Sequence, residues 1–222
     1  MSHPDPSDAS PGTLPDAPPG TAERLGPDAV HRLTEYGRLL ATEGVLRGLI
    51  GPREVPRLWD RHLLNCAALA EAVPTGAHLA DIGTGAGLPG MVLALVRPDL
   101  RVDLVEPLQR RCDFLAEVIN HFGLGARVTL QRGRAEIVEA IGADVVTSRA
   151  VAALDKLAPW CLPHARIGGQ LLAMKGQRAA EELTAARPVL RRWGAEADAA
   201  VIRCGAGWLD PPVHLIRATR RR

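Results

Sequence analysis

Aromatic side chains make up only 3% of this sequence, with one Tyr and two Phe. Little is therefore available for stacking on bases. Trp59 and Trp160 are the two candidates, and for each a place in the core is the commoner alternative. Cysteine is sparse too. Cys66, Cys112, Cys161 and Cys204 lie far apart and form no CxxC pair, which suggests neither a disulfide framework nor a thiolate zinc site. No apolar run approaches the roughly 18 residues of a membrane span. The N-terminus lacks the basic-then-apolar pattern of a signal peptide. These absences lead to the expectation of a soluble, cytoplasmic protein without a metal. Lysine is nearly missing, since Arg supplies 25 of the 27 basic residues. With the abundant Ala, this reads as codon bias towards GC-rich DNA rather than as function.

What is present suffices for one full α/β domain and an appendage: 222 residues, 46% of them hydrophobic. The net charge of +2 is unevenly placed. Residues 1–75 hold 7 Arg against 10 acids, and the remainder holds 20 basic residues against 15 acids. The chain ends in Arg217-Ala218-Thr219-Arg220-Arg221-Arg222. Such asymmetry suits a polyanionic partner, although a solvated tail explains the last residues equally well.

Residues 1–20, with 6 prolines and no Lys or Arg, read as a disordered tail. Pro27 and Asp28 suit the first turn of a helix, continued by Val30, Leu33, Gly37 and Leu40. The segment Gly44 to Pro52 is a poor helix interior. A second helix follows Pro56, with Val55, Leu58, Trp59, His62, Leu63, Cys66, Leu69 and Val73 on one face. Residues 21–75 thus form a helical region, and residues 76–222 a second unit in which strands and helices alternate. The strands are expected at 77–82, 101–106, 127–131, 143–148, 169–174, 197–203 and 213–218. The helices are expected at 88–97, 107–122, 134–141, 153–163 and 178–193. Alternation of this kind implies a mostly parallel sheet covered on both faces. No helix fits between the last two strands, so a reversed final hairpin is expected.

The chain is organised around Asp81-Ile82-Gly83-Thr84-Gly85-Ala86-Gly87-Leu88-Pro89-Gly90. An apolar strand, a glycine turn and an apolar helix in succession open a nucleotide-binding domain. Gly83, Gly85 and Gly87 make GxGxG, while Gly85, Gly87 and Gly90 also satisfy GxGxxG. The glycines alone therefore fit both NAD and S-adenosylmethionine. Glu106, at the end of the second strand, suits either cofactor's ribose hydroxyls. Asp81 favours S-adenosylmethionine, because an acid suits a cationic methionine moiety better than a pyrophosphate. Ala135 and Glu136, after the third strand, can lie along an adenine. A first-turn acid favoured by the helix dipole explains Glu136 equally well.

These residues carry a resemblance. Arg61-His62-Leu63-Leu64, the glycine segment with Leu88-Pro89-Gly90, Ser148-Arg149-Ala150 and Met174-Lys175-Gly176 together resemble the RsmG family, also called glucose-inhibited division protein B. The resemblance spans roughly residues 30–218, and the arginine-rich version here looks actinobacterial. It implies a class I S-adenosylmethionine-dependent methyltransferase fold, Rossmann-like, with a seven-stranded sheet and a reversed C-terminal strand. It also implies methylation of N7 of a guanine in bacterial 16S ribosomal RNA. The implied partner is that RNA or the 30S particle, and the expected state is a monomer. Carried over by position, Gly83 and Leu88 contact the cofactor; Asp81, Gly85 and Gly87 in the same turn are cofactor candidates from the turn's own chemistry. Glu106 takes the ribose, Ala135 and Glu136 flank the adenine, and Arg149 lies at the cofactor and the catalytic mouth. Lys175 and Gly176 match an element facing the substrate, beside Arg149. Arg61 and Arg178 are further substrate candidates by their charge alone, and a solvated face explains Arg178 equally well. Two positions depart from the family pattern: Gly44-Val45-Leu46 stands where Asn-Leu-Thr is common, and Asn65 where Asp is common.

The chemistry agrees with this reading. Guanine N7 has a free lone pair and no proton at neutral pH, so in-line displacement needs no general base. No catalytic dyad is evident, and no residue is assigned a catalytic role. No cysteine follows the fourth strand to serve cytosine-C5 chemistry. Asp210-Pro211-Pro212 reads as a turn rather than an amine-methylating motif. Two alternatives remain: an NAD-linked oxidoreductase, and a non-catalytic ribosome-assembly protein that binds RNA.

Overall fold

The runs of Val, Leu, Ile and Ala that suggest strands all pair within one sheet. The structure, a computed structural model, describes residues 13–149 and 151–222. Its strands are β1 (His78–Ile82), β2 (Arg101–Glu106), β3 (Val128–Arg132), β4 (Ala143–Arg149), β5 (Ala165–Lys175), β6 (Ala200–Cys204) and β7 (Val213–Thr219). Their order is β3-β2-β1-β4-β5-β7-β6. Pairs from β3 to β5 are parallel, whereas β7 runs antiparallel to both β5 and β6. The short link from Gly205 to Pro212 has no room for a crossover helix, so the chain must reverse there. All seven strands fall where the sequence suggests, with β5 beginning four residues early and β6 three residues late.

The helices are α1 (Thr21–Leu25), α2 (Pro27–Leu39), α3 (Leu64–Ala68), α4 (Gly90–Val96), α5 (Gln109–His121), α6 (Leu154–Cys161) and α7 (Ala179–Arg192). The helix expected after Pro56 is wound in several ways. A 3₁₀ turn over Pro52–Arg57 leads to a π-wound Leu58–Leu63, then α3, then a 3₁₀ turn over Leu69–Ala72. Its apolar face is nonetheless as expected, since Val55, Leu58, Trp59, Leu63, Cys66, Leu69 and Val73 are buried. His62, on that stripe, is only half-buried.

Two expected helical stretches differ. Residues 134–141 form a single turn, closed by Ile137 N–H and Val138 N–H on the Arg134 carbonyl. Ile137 is 80% exposed: with one apolar side chain facing out, too little burial remains to hold a short helix. Pro107 and Leu108 precede α5 rather than begin it. Glu106 Oε1 accepts the Leu108 N–H at 3.0 Å, which fixes an extended residue at that point. The expected disorder of residues 1–20 concerns, for 1–12, positions outside the described residues. In 13–20, Leu14 lies against Gly37, and the Pro15 carbonyl accepts the Trp59 indole N–H at 3.0 Å.

One apolar layer joins the helical region, α4 and α5 to one face of the sheet, including Leu79, Leu93, Leu104 and Leu115. A second layer, with Leu157, Ala158, Leu183 and Leu190 from α6 and α7, covers the other face. The basic C-terminus is docked on the body. Arg220 donates to the carbonyls of Leu162, Pro163 and Ala165, and Arg221 pairs with Asp198 at 3.5 Å. Among the described residues, no helix is long and apolar enough to cross a membrane.

The chain leaves β1 towards β2 and β3, then returns to place β4 on the other side of β1. Such a reversal opens a crevice at the carboxyl ends of the strands, where ligands of open α/β sheets bind.

Candidate functional site

The turn after β1 is shaped by residues that need its geometry. Gly83, Gly85 and Gly87 have φ of +69°, +63° and +97°, a region closed to most side chains. The N–H groups of Gly83 and Thr84 both donate to the Val105 carbonyl, at 2.9 and 3.1 Å, tying the turn to β2. Behind it lies Asp81, fully buried. Its Oδ2 accepts the Thr84 hydroxyl at 2.6 Å and the Gly90 N–H at 2.7 Å. Its Oδ1 has no partner among the described residues. Burial pushes this carboxyl up to about 6. Asp81 therefore braces the turn from within and does not line the cleft in front of it.

The glycines divide in the same way. Gly83 and Gly85 line the cleft, and a Cβ on Gly85 would meet nothing within 4 Å. Gly87 and Gly90 face inward. A Cβ on Gly87 would lie 2.7 Å from the Tyr36 hydroxyl, and one on Gly90 2.8 Å from the Asp81 side chain. Close packing at Gly90 is what the dinucleotide pattern also requires of its last glycine, but Gly87, the glycine that would let a pyrophosphate approach, is closed off by Tyr36 and Met91, which counts against NAD.

The cleft in front of the turn holds about 700 Å³, within the usual range for a small-molecule site. Gly83, Gly85, Leu88, Glu106, Ala135, Glu136 and Arg149 all line it. The structure thus brings together every cofactor candidate except Asp81 and Gly87. Glu106 is 1% exposed. Its Oε2 accepts the Gly85 N–H and its Oε1 the Leu108 N–H, each at 3.0 Å, and Arg111 donates to both oxygens over longer distances of 3.4 and 3.5 Å. Leu108, exposed beyond the end of β2, supplies an apolar wall together with Ile50 and Trp160.

A second cleft of about 800 Å³ adjoins the first, and Arg149 and Val151 line both. Arg61, Lys175, Gly176, Arg178, Pro211, Pro212 and His214 line it as well. All four substrate candidates therefore converge here, but not equally. Lys175 is only 7% exposed, pairs with Glu182 at 2.8 Å and donates to the Ala152 carbonyl at 2.7 Å. Its charge is neutralised, and it clamps the segment after β4. Arg61 and Arg178 are exposed. Ser148 is buried and ties β4 to β1 by donating to the Ile82 carbonyl at 2.7 Å. Ala150 lies outside the described residues.

Several contributors escape sequence reasoning. The only tyrosine, Tyr36, is fully buried and its hydroxyl donates to the Ala86 carbonyl, so α2 supports the glycine turn. Its place beside Leu33, Gly37 and Leu40 on one apolar face was the available signal. His62 is not a simple core residue. Its Nδ1 lies 3.0 Å from an Arg149 nitrogen and its Nε2 2.9 Å from Glu54 Oε2. Nothing in the sequence marks His62 as the partner of a residue 87 positions further on. Asp210-Pro211-Pro212, read as a turn, is also a wall of the second cleft. The four cysteines are buried, and burial pushes the Cys66 thiol up to about 11, which leaves it without nucleophilic character at neutral pH.

Comparison with known proteins adds to this geometry. Residues 29–202 match the family described as GidB, rRNA small subunit methyltransferase G. The chain is similar to a ribosomal RNA small subunit methyltransferase G from Mycobacterium sp. (strain KMS), 54% identical over 208 residues. That alignment covers 92% of this chain and 91% of the relative. It is also similar to the protein of that name from Salinispora arenicola (strain CNS-205), 52% identical over 223 residues, covering 96% and 92%. Among solved structures, the S-adenosylmethionine-dependent methyltransferase SibL in its apo form matches with a TM-score of 0.62. It is 18% identical, with 91% of this chain and 71% of that chain covered. At that identity the likeness is one of fold alone.

Proposed function

The chain belongs to the rRNA small subunit methyltransferase G family, and from that premise we propose that it methylates N7 of a guanine in 16S ribosomal RNA with S-adenosylmethionine. The observation that carries this reading is the pair of clefts meeting at Arg149 and Val151. One is nucleotide-sized and faces the glycine turn, and the other is rimmed by arginines.

The first cleft fits the cofactor. Glu106 can accept ribose hydroxyls in place of its long bonds from Arg111, and Gly83 and Gly85 leave the backbone open to close approach. Ala135, Glu136, Leu88 and Leu108 suit the adenine. Asp81 and Gly87 act through the turn that they shape. When bound, S-adenosylmethionine supplies an electrophilic methyl group on a sulfonium.

The residues of this chain then have one main task, which is orientation. N7 has no proton to give up, so no side chain need act as a base. Positioning of two reactants can lower a barrier by roughly 7–11 kcal/mol. Alkylation makes the base more positive, and a cation beside N7 would oppose it. Arg149 therefore suits guanine O6 or a phosphate, where a planar guanidinium donates in fixed geometry. Arg61 and Arg178 suit flanking phosphates. The N7 edge of paired RNA lies in a deep groove closed to side chains. The target guanine must accordingly be unpaired or turned out, and the second cleft has the volume to receive it.

The test is to map N7-methylguanosine in 16S RNA from cells with and without the gene. Purified protein is then supplied with tritium-labelled cofactor and RNA or 30S particles from the deletion strain. The expected result is loss of one methylated guanine in the deletion and its restoration by the protein. Label entering only protein or a small metabolite would overturn the reading.

A further inference from the structure

Arg149 differs from the other buried or half-buried cations of the site in what holds it. Lys175 is paired with a carboxylate, Glu182, at 2.8 Å. The contacts of Arg149 are instead uncharged acceptors: His62 Nδ1 at 3.0 Å and the Arg61 carbonyl at 3.4 Å. An uncharged acceptor fixes the direction of a guanidinium without neutralising it.

The contact sets the state of the histidine. A guanidinium only donates, so Nδ1 must be the bare acceptor and Nε2 must carry the hydrogen, which it donates to Glu54 Oε2 at 2.9 Å. The imidazole is therefore neutral. Burial favours that state, lowering the affinity of His62 for a second proton against the opposing pull of Glu54. The charged groups facing His62 are Glu54, with Arg57 beside it, from the 3₁₀ turn, Arg61 from its own turn and Arg149 from β4. Glu54 stays ionised through its bond to His62 and the neighbouring Arg61 and Arg57.

We infer that Glu54 and His62 are positioning residues for Arg149, which aim its charge into the junction of the two clefts. This inference rests on the proposed role of Arg149 towards the guanine or its phosphate. A protonated His62 would turn an N–H towards Arg149, so the clamp opens at low pH. The helical region thereby supplies a working part of the transfer site rather than only a cover.

The test uses the full chain. Imidazole ¹⁵N–¹H correlation spectra at neutral pH are expected to show His62 as the Nε2–H tautomer in the wild type, a readout that needs no activity. In methyl transfer to 16S RNA or 30S particles, His62→Ala is expected to lower kcat by about 100-fold, as for a misplaced reacting group. Its S-adenosylhomocysteine affinity and melting temperature should stay close to wild type. His62→Asn, whose Oδ1 stands near the former Nδ1, should restore most of the rate and abolish the acid limb of the pH profile. Glu54→Gln should move that limb to lower pH. An Nδ1–H tautomer, an unchanged kcat in His62→Ala, or a wild-type acid limb in His62→Asn would each overturn the inference. If the wild type methylates no RNA, the functional reading fails while the spectra still decide the geometry.

Discussion

Asp81 holds two hydrogen bonds and one unpartnered oxygen in the same buried carboxyl group. Burial raises it to about 6 in the folded protein, against about 3.9 in an unfolded chain. A raised acid binds its proton more tightly when folded. Its contribution to stability is full below the unfolded value and is lost as pH rises through about 6. Asp81→Asn keeps the shape and an acceptor for Thr84 and Gly90 but does not titrate. We expect its stability relative to wild type to grow by about 2–3 kcal/mol between pH 4 and 7, read from urea unfolding across pH. A flat difference would mean that the carboxyl titrates at its ordinary value. Gly87 offers a second test. A methyl group there collides with Tyr36 and Met91 at 2.7 and 2.8 Å, on a φ of +97°. Gly87→Ala should cost at least about 2–3 kcal/mol. Gly85→Ala, with open space around the new methyl, should cost about 1 kcal/mol and act on cofactor affinity instead. Residue identity alone could not separate these glycines. GxGxG requires the turn, but which glycine faces the cleft depends on Tyr36, far earlier in the chain.

Elements were legible wherever burial has a simple period. β1, β2 and β4 are largely buried runs, as expected of strands covered on both faces, and α5 carries a clean stripe. Legibility failed where local winding follows tertiary contacts. The rod from Pro52 to Ala72 changes winding three times while its apolar face stays buried, and 134–141, with too little to bury, forms a single turn that lines the cleft through Ala135 and Glu136. The link between the helical region and the last hairpin was not legible at all. Glu71 accepts Arg24 at 2.7 Å, the Gly205 N–H at 2.9 Å and the Trp208 indole at 2.8 Å. The loop that it pins continues into Pro211 and Pro212 at the second cleft. Glu71→Ala should therefore lower stability by about 1–2 kcal/mol. It should also raise KM for the RNA substrate while leaving cofactor affinity unchanged, as separate calorimetric and steady-state measurements would register. A parallel loss of cofactor affinity would mean that the hairpin loop acts on both clefts.

At the scale of the molecule, the mostly parallel sheet and the reversed last strand were legible because alternation and one short connection imply them, whereas the strand order was not. The use of charge was not. The basic C-terminal run looked equally suited to a polyanion and to solvent. The structure turns Arg220 inward onto three carbonyls and sets it beside the Trp193 ring at 5.4 Å. Of the exposed arginines, Arg61, which lies 3.7 Å from Glu54, and Arg178 are the ones that line the second cleft. These come from the helical region and from the start of α7, so neither part of the chain alone forms the rim. The two clefts then predict separable binding. Arg61→Ala with Arg178→Ala should leave S-adenosylhomocysteine affinity unchanged, because neither residue lines the first cleft. It should weaken binding of 16S RNA and reduce the magnitude of its log–log salt slope by about 0.7–0.9 for each phosphate that the arginines no longer neutralise. Removal of Arg220 to Arg222 should act in the opposite sense, lowering the melting temperature with little change in that slope. Equal slopes in all three proteins would place the RNA backbone on another face of the molecule.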